Sequence, residues 1–431
     1  MKKPFLIISY YWPPAGGPGV QRWLKFAKYL PQNGYDVTVV VPENPDYPVL
    51  DESLLEEVPG NVNLIKVKIK EPSRLASNIL RRRTKNLQRG ILNKKASFIE
   101  RAMVWLRGNF FIPDARVGWK QRVLKAVEPF LSEHRECTVI TTGPPHSVHL
   151  IGRELKTLLP SIKWLADFRD PWTTIGYHKD LKLGERAQKR HIDLEQEVLD
   201  TADLLIVTSP HTGKEFKLKT ATPLQLITNG YDRKPNTRTH QPEGKFTLAH
   251  IGTLLSDRNP LLLWETLQEL CQESEDFTAD FQLQLAGNVS DEILESIHKF
   301  QLVKYLDHKG YVSHDTSVEL MFTAQALLLI EIDSEETKAI IAGKIFEYFA
   351  SRRPVVAIGP KGAAIELLLT DTHSGEYFSY QQKTALKKHI NYLYDLYKRG
   401  ANNSHSNDLI ERYHRSHLTQ ILAKTIEFVW E

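Results

Sequence analysis

Gly343-Lys344-Ile345-Phe346-Glu347-Tyr348-Phe349-Ala350-Ser351-Arg352-Arg353-Pro354-Val355-Val356-Ala357 is the stretch on which the reading of this chain turns. A glycine opens a helical run, with Lys344 beside it and Glu347 three residues on, so both fall on one helix face. A lysine near a helix start can meet phosphate oxygens, where unpaired backbone N–H groups already favour anions. A glutamate one turn deeper can accept hydrogen bonds from two neighbouring ribose hydroxyls. Arg352-Arg353-Pro354 then closes the helix, and Val355 to Ile358 reads as a buried strand ending at Gly359. A phosphate reader and a diol reader on one helix point to a nucleotide-diphosphate ligand.

The surrounding chain supplies the frame for such a helix. Its 431 residues suit two domains rather than one core. A hydrophobic content of 41% and a charged content of 25% are those of a globular protein. No apolar run reaches the roughly 18–20 residues needed to cross a bilayer. Met1 to Ser9 runs straight into a strand, without the apolar core and cleavage site of a secretory leader. Cys137 and Cys271 make neither a disulfide framework nor a metal cluster, and both read as buried thiols. A cytoplasmic location is expected.

Two halves each open with a strand, a glycine turn and a helix. The first begins with Phe5 to Ser9, a loop from Tyr10 to Gly19, and a helix from Val20 to about Gln32 that Gly34 stops. Strands are expected at Val37–Val41, Val62–Val67, Thr138–Thr142, Trp164–Phe168, Leu204–Thr208 and Leu224–Thr228, with helices over about Ser147–Leu159 and Leu183–Leu199. The Pro-, Asn-, Thr- and Gly-rich stretch from Asn229 to Lys245 marks a linker. The second half restarts with Phe246 to Ile251, Gly252 and a helix from about Asn259. Strands follow near Phe281–Ala286, Leu306–Tyr311, Ala326–Ile332 and Pro354–Ile358. The division expected is residues 1–230, a linker at 231–245, and residues 246–431, with a last helix from about Asp408 to Val429 packing back on the first domain. Strands alternating with helices imply two doubly wound parallel sheets. Such sheets bind ligands beyond the carboxyl ends of their strands.

Candidate site residues cluster at those ends. Gly16-Gly17-Pro18-Gly19 lets backbone amides approach a phosphate or sugar closely, although it lacks the GxGxxG spacing of a dinucleotide fold. Arg258, in the loop after the first strand of the second domain, is placed to hold a diphosphate alongside Lys344. Asp167-Phe168-Arg169-Asp170-Pro171-Trp172 ends a strand with two carboxylates and a guanidinium. One acid can orient an acceptor hydroxyl, and Arg169 can steady a phosphate or position that acid. Asp170 before a proline equally suits a turn. His146 and His149 follow another strand end; one polar contact with an acceptor is expected there, and no metal, since no third ligand stands nearby.

Between Lys66 and Arg107 stand thirteen Lys or Arg against Glu71 and Glu100, a net +11 within a chain of net +4. Arg81-Arg82-Arg83-Thr84-Lys85 and Lys94-Lys95 are interleaved with Leu75, Ile79, Leu80, Leu87, Ile91, Leu92 and Phe98, and Trp105, Phe110 and Phe111 follow. Residues 66–111 are therefore expected to meet an anionic membrane surface, with nucleic acid the competing and disfavoured partner.

Taken together, Pro13-Pro14-Ala15-Gly16-Gly17-Pro18-Gly19-Val20, Asp167 to Trp172, Thr228-Asn229-Gly230-Tyr231-Asp232 and the Lys344–Glu347 segment resemble a retaining glycosyltransferase of family 4. The resemblance spans essentially the whole chain. It implies the α/β architecture called GT-B, two Rossmann-like doubly wound parallel-sheet domains facing an interdomain cleft. It further implies a nucleotide-sugar donor on the second domain, held by Arg258 and Lys344 at the diphosphate and by Glu347 at the ribose, with Gly16 and Gly17 approaching the phosphate or sugar. Asp170 and Arg169 would serve the chemistry, and Asp167 and His146 the acceptor. No metal or other cofactor is implied. The expected activity is sugar transfer to a saccharide or lipid-linked acceptor in bacterial surface polysaccharide assembly, at the inner face of the cell membrane. Two positions depart from the family pattern. Arg169 stands where many relatives have histidine, and Ala339 where many have a first glutamate, eight residues before Glu347. A sugar-nucleotide epimerase and a non-catalytic sugar-nucleotide binder are the alternatives.

Overall fold

The computed structural model describes residues 2–71, 98–174, 181–232, 244–400 and 408–431. The basic clusters at Arg81–Lys85 and Lys94-Lys95 lie outside them. The chain divides into two compact units. Unit 1 comprises residues 1–228 and 415–431, and unit 2 comprises residues 229–414.

Unit 1 is built on seven parallel strands: β1 (Lys3–Ser9), β2 (Tyr35–Pro42), β3 (Asn63–Val67), β4 (Thr138–Gly143), β5 (Lys163–Phe168), β6 (Leu204–Val207) and β7 (Leu224–Leu226). They lie in the order β3-β2-β1-β4-β5-β6-β7. Strands buried on both faces read as continuous apolar runs. Phe5, Leu6, Ile7 and Ile8 are all fully buried, as are Val37, Val39 and Val40. The direction of winding reverses between β1 and β4, so the loops after Ser9 and Gly143 flank the crevice where such sheets take ligands.

Asp167, near the end of β5, is the polar centre of this unit. It is 0% exposed. Arg22, on the helix Pro18–Tyr29, donates to it from Nη2 at 2.8 Å and from Nε at 3.2 Å. Trp23 Nε1 donates at 2.7 Å and Thr142 Oγ1 at 2.8 Å. The remaining Arg22 nitrogen, Nη1, reaches the Thr228 carbonyl at 2.8 Å. Burial by itself raises the Asp167 pKa. The guanidinium and the two neutral donors overcome that and hold it below the ordinary carboxylate value.

Unit 2 repeats the plan with six parallel strands: β8 (Phe246–Ile251), β9 (Phe281–Ala286), β10 (Leu306–Gly310), β11 (Ala326–Ile330), β12 (Val355–Ile358) and β13 (Gly375–Phe378). Their order is β10-β9-β8-β11-β12-β13, with the reversal between β8 and β11. Strand β13 is not anticipated from the sequence, because Gly-Glu-Tyr-Phe is short and carries no apolar run.

The end of the chain differs from the single helix expected over Asp408–Val429. A 3-10 turn, Asp408–Tyr413, belongs to unit 2, and the helix Arg415–Trp430 belongs to unit 1. The Tyr413 carbonyl accepts from the Tyr231 amide at 3.1 Å instead of continuing a helix. Beyond it, Leu418, Leu422 and Ile426 join the core of unit 1, and Trp430 Nε1 donates to Thr138 Oγ1 at 2.9 Å. Among the described residues no helix is long and apolar enough to cross a membrane.

Removing one partner of a buried ion pair costs far more than removing both. Arg22→Met is therefore expected to lower stability by about 3–5 kcal/mol in chemical denaturation. The folded Asp167 pKa lies below its unfolded value of about 3.9. Its contribution is full above that value and fades as the pH falls through the folded pKa, so the gap between variant and wild type should narrow on acidification. A gap unchanged in acid would assign the loss to packing.

Candidate donor and acceptor sites

In unit 2, four polar side chains meet at the carboxyl ends of β8 and β11. The helix Lys344–Ser351 starts there. The Lys344 ammonium lies 3.3 Å from His250 Nε2 on β8. It also lies over Gly252, whose φ is +121° and whose hypothetical Cβ would stand 2.8 Å from Lys344 Nζ. Only glycine meets both demands. Arg258 closes a short 3-10 turn (Ser256–Arg258), and its Nε is buried with no hydrogen-bond partner. A buried, unpaired guanidinium nitrogen is costly unless a ligand satisfies it. Glu331, just past β11, is 7% exposed and accepts from Tyr377 Oη at 2.8 Å.

The electrostatics follow from this crowding. Burial, then the nearby Arg258, bring the Lys344 pKa down to about 7, with Glu347 opposing. Burial pushes the Glu331 carboxyl up to about 7, against the Tyr377 hydrogen bond and Arg258. The cluster thus crowds the Lys344 amine against the Arg258 guanidinium without a full counter-charge. An incoming anion supplies the balance. Glu347 is partly buried one turn along the same helix, within electrostatic reach of Lys344. Lys344, Glu347 and Arg258, picked out in the sequence, therefore occupy one corner of unit 2. His250, Glu331 and Tyr377 were not picked out. Only the position of His250 and Glu331 at strand ends signals them.

In unit 1 the Gly16–Gly19 loop leaves β1. Gly17 has φ +104°, and the Gly16 amide donates to the Val49 carbonyl at 3.0 Å. Gly19 carries a constraint that composition does not reveal. A Cβ there would lie 1.6 Å from Arg169 Nη1. Arg169 in turn donates from Nε to the Gly143 carbonyl at 3.2 Å and from Nη2 to the Pro144 carbonyl. Its guanidinium sits 5.9 Å from the Tyr11 ring centre. The departure at position 169 is thus a strut between two loops of the unit-1 crevice. Asp170 is partly buried; burial raises its pKa and Arg169 opposes.

Two expectations for unit 1 are corrected. Asp167 does not face an acceptor, because Arg22, Trp23 and Thr142 occupy both of its oxygens and it is sealed from solvent. Neither His146 nor His149 offers the open polar contact expected of one of them, because both rings are buried at the start of the helix Ser147–Leu158. His146 stacks on Trp172 with centroids 5.1 Å apart, and His149 on Phe168 at 4.3 Å. Burial lowers the His149 pKa to about 3, so its ring is neutral. Among the described residues, no group of three or more His, Cys, Asp or Glu is arranged to hold a metal ion.

The lowered Lys344 pKa has a direct readout. In competitive acylation followed by mass spectrometry, its labelling should rise through about pH 7, while exposed lysines follow their usual value of about 10.4. Labelling in step with the exposed lysines would remove the account of a crowded, desolvated ammonium.

No protein-family model matches the chain, and no curated protein matches it in sequence. Solved structures match along its full length. Sucrose-phosphate synthase from Thermosynechococcus elongatus is 15% identical, with 100% of this chain and 99% of that one covered and a TM-score of 0.58. A glycosyltransferase from Rickettsia africae ESF-5 is 14% identical, with coverage of 100% and 99% and a TM-score of 0.59. The Anabaena protein HepE, solved with UDP and glucose, is 14% identical, with coverage of 99% and 100% and a TM-score of 0.57. At such identities the likeness is one of fold. With two all-parallel α/β units of seven and six strands in matching winding order, the chain has the GT-B fold.

Proposed function

We propose that the protein is a retaining glycosyltransferase that takes a sugar from a nucleotide-diphosphate donor. The observation that carries this is the convergence of Lys344, Arg258 with its unpaired Nε, and Glu347 at the switch point of unit 2. A diphosphate satisfies the first two, and a ribose diol suits the third. HepE, of the same fold, was solved with UDP and glucose.

In this reading the two cations stabilise charge on the leaving nucleotide as the glycosidic bond breaks. The acceptor oxygen attacks the anomeric carbon from the face the nucleotide leaves. Its proton passes to the departing phosphate oxygen, so no side-chain base is demanded. Unit 1 supplies acceptor recognition through Asp170 and the Gly16–Gly17 loop, with Arg169 as the strut that fixes that loop. The acceptor is a saccharide or a lipid-linked saccharide of bacterial surface polysaccharide assembly, met at the inner membrane face. Exposed Trp105 (46%) and Phe110 (69%), on the helix that follows the basic segment, support that location.

Thermal-shift measurements with UDP-, GDP-, ADP- and dTDP-linked sugars test the donor site. At least one should raise Tm for the wild type, and Lys344→Ala and Glu347→Ala should each lose most of that shift. No stabilisation by any nucleotide sugar, or full shifts in both variants, would overturn the assignment. Transfer itself is read by incubating the stabilising donor with membrane lipids. Free epimerised sugar without acceptor would instead identify an epimerase.

A further inference from the structure

His250 is the penultimate residue of β8 and is 0% exposed. Its Nδ1 lies 3.0 Å from the carbonyl oxygen of Leu328 on β11. A carbonyl can only accept, so Nδ1 carries the ring proton and donates it. Nε2 is left with a lone pair, and that lone pair faces Lys344 Nζ at 3.3 Å. Burial, then the charge on Lys344, keep the imidazole pKa well below its ordinary value, although hydrogen bonds with the Leu328 and Thr253 backbone oppose this. The ring stays neutral and serves as an acceptor for the lysine.

A neutral holder has a consequence for anion binding. A carboxylate in the same place would hold the ammonium more tightly. It would also cancel the charge that a phosphate needs and repel the phosphate directly. An imidazole lone pair fixes the ammonium in direction and brings no counter-charge of its own. Gly252 completes the fixation by giving Lys344 Nζ room directly above its α-carbon. The lysine head is thus held by His250 on one side and given room over Gly252 on the other.

We propose that His250 is a positioning residue for the donor diphosphate: its Nε2 lone pair aims the Lys344 ammonium without neutralising it. The inference rests on the donor-site reading above.

Two substitutions separate the two ends of the imidazole. His250→Asn keeps a donor at the Nδ1 position for Leu328 and has no atom reaching Lys344. His250→Gln places an amide oxygen near the Nε2 position and restores the acceptor. Calorimetry of the full chain with UDP, GDP and ADP should show His250→Asn binding the tightest of the three at least about tenfold more weakly, the scale of a hydrogen bond to a charged group. His250→Gln should stay within about threefold of wild type, and Lys344→Met should lose at least as much as His250→Asn. Wild-type affinity in His250→Asn, alongside a loss in Lys344→Met, would overturn the role of His250 and leave the donor site standing. Wild-type affinity in Lys344→Met, or no binding of any of the three to wild type, would overturn the donor site and this inference with it. Nitrogen NMR of histidine-labelled wild type is independent of how the variants fold. It should show His250 as the Nδ1–H tautomer; an Nε2–H tautomer would refute the proposal.

Discussion

The buried pair of Arg22 and Asp167 is the constraint on which unit 1 depends. A guanidinium and a carboxylate, both nearly without solvent contact, are joined by two neutral donors and a backbone carbonyl. Four segments meet in this one cluster: the helix after the glycine loop, which brings both Arg22 and Trp23; β4 through Thr142; β5 through Asp167; and the stretch after β7 through Thr228. Taking two ions out of water costs several kcal/mol each, and their attraction offsets that only when every remaining site is occupied. Here each carboxylate oxygen is occupied. The arrangement fixes where the Gly16–Gly19 loop begins, and through Gly19 and Arg169 it fixes the neighbouring Gly143-Pro144 loop as well.

Unit 2 solves the opposite problem at the same topological position. It leaves cationic groups under-satisfied where unit 1 saturates an anion. The same winding order delivers both, because the reversal point opens a crevice that each sequence furnishes differently. Glu331 is the instructive neighbour. A fully ionised carboxylate beside Arg258 would close the cluster by itself. Burial, against the Tyr377 hydrogen bond and Arg258, pushes the Glu331 carboxyl up to about 7 and so weakens its hold on Arg258.

The sequence makes the two parallel sheets legible because their central strands, such as β1, β11 and β12, are largely apolar runs. Lys344 and Glu347 are legible because helix periodicity fixes their common face. His250 and Glu331 are not, since a histidine inside an apolar strand reads as a tolerated core residue, and Glu331 falls within the strand expected over Ala326–Ile332, which in the fold ends at Ile330. Asp167 was misplaced for a related reason. In Asp167-Phe168-Arg169-Asp170, strand alternation cannot say which acid faces inward, and the deciding partner, Arg22, lies 145 residues away. His146 and His149 share a helical spacing, but that spacing does not reveal that Trp172 and Phe168 cover their rings.

The helix Arg415–Trp430 makes unit 1 discontinuous: the whole of unit 2 is threaded between Thr228 and the element that completes the first core. During synthesis, then, the amino-terminal sheet emerges first and finishes last. Its flank beside the helix Pro18–Tyr29 stays uncovered until Leu418, Leu422 and Ile426 arrive, so the nascent chain carries an apolar gap throughout the making of unit 2. A chain cut before Arg415 keeps every residue of unit 2 and leaves the core of unit 1 without Leu418, Leu422 and Ile426.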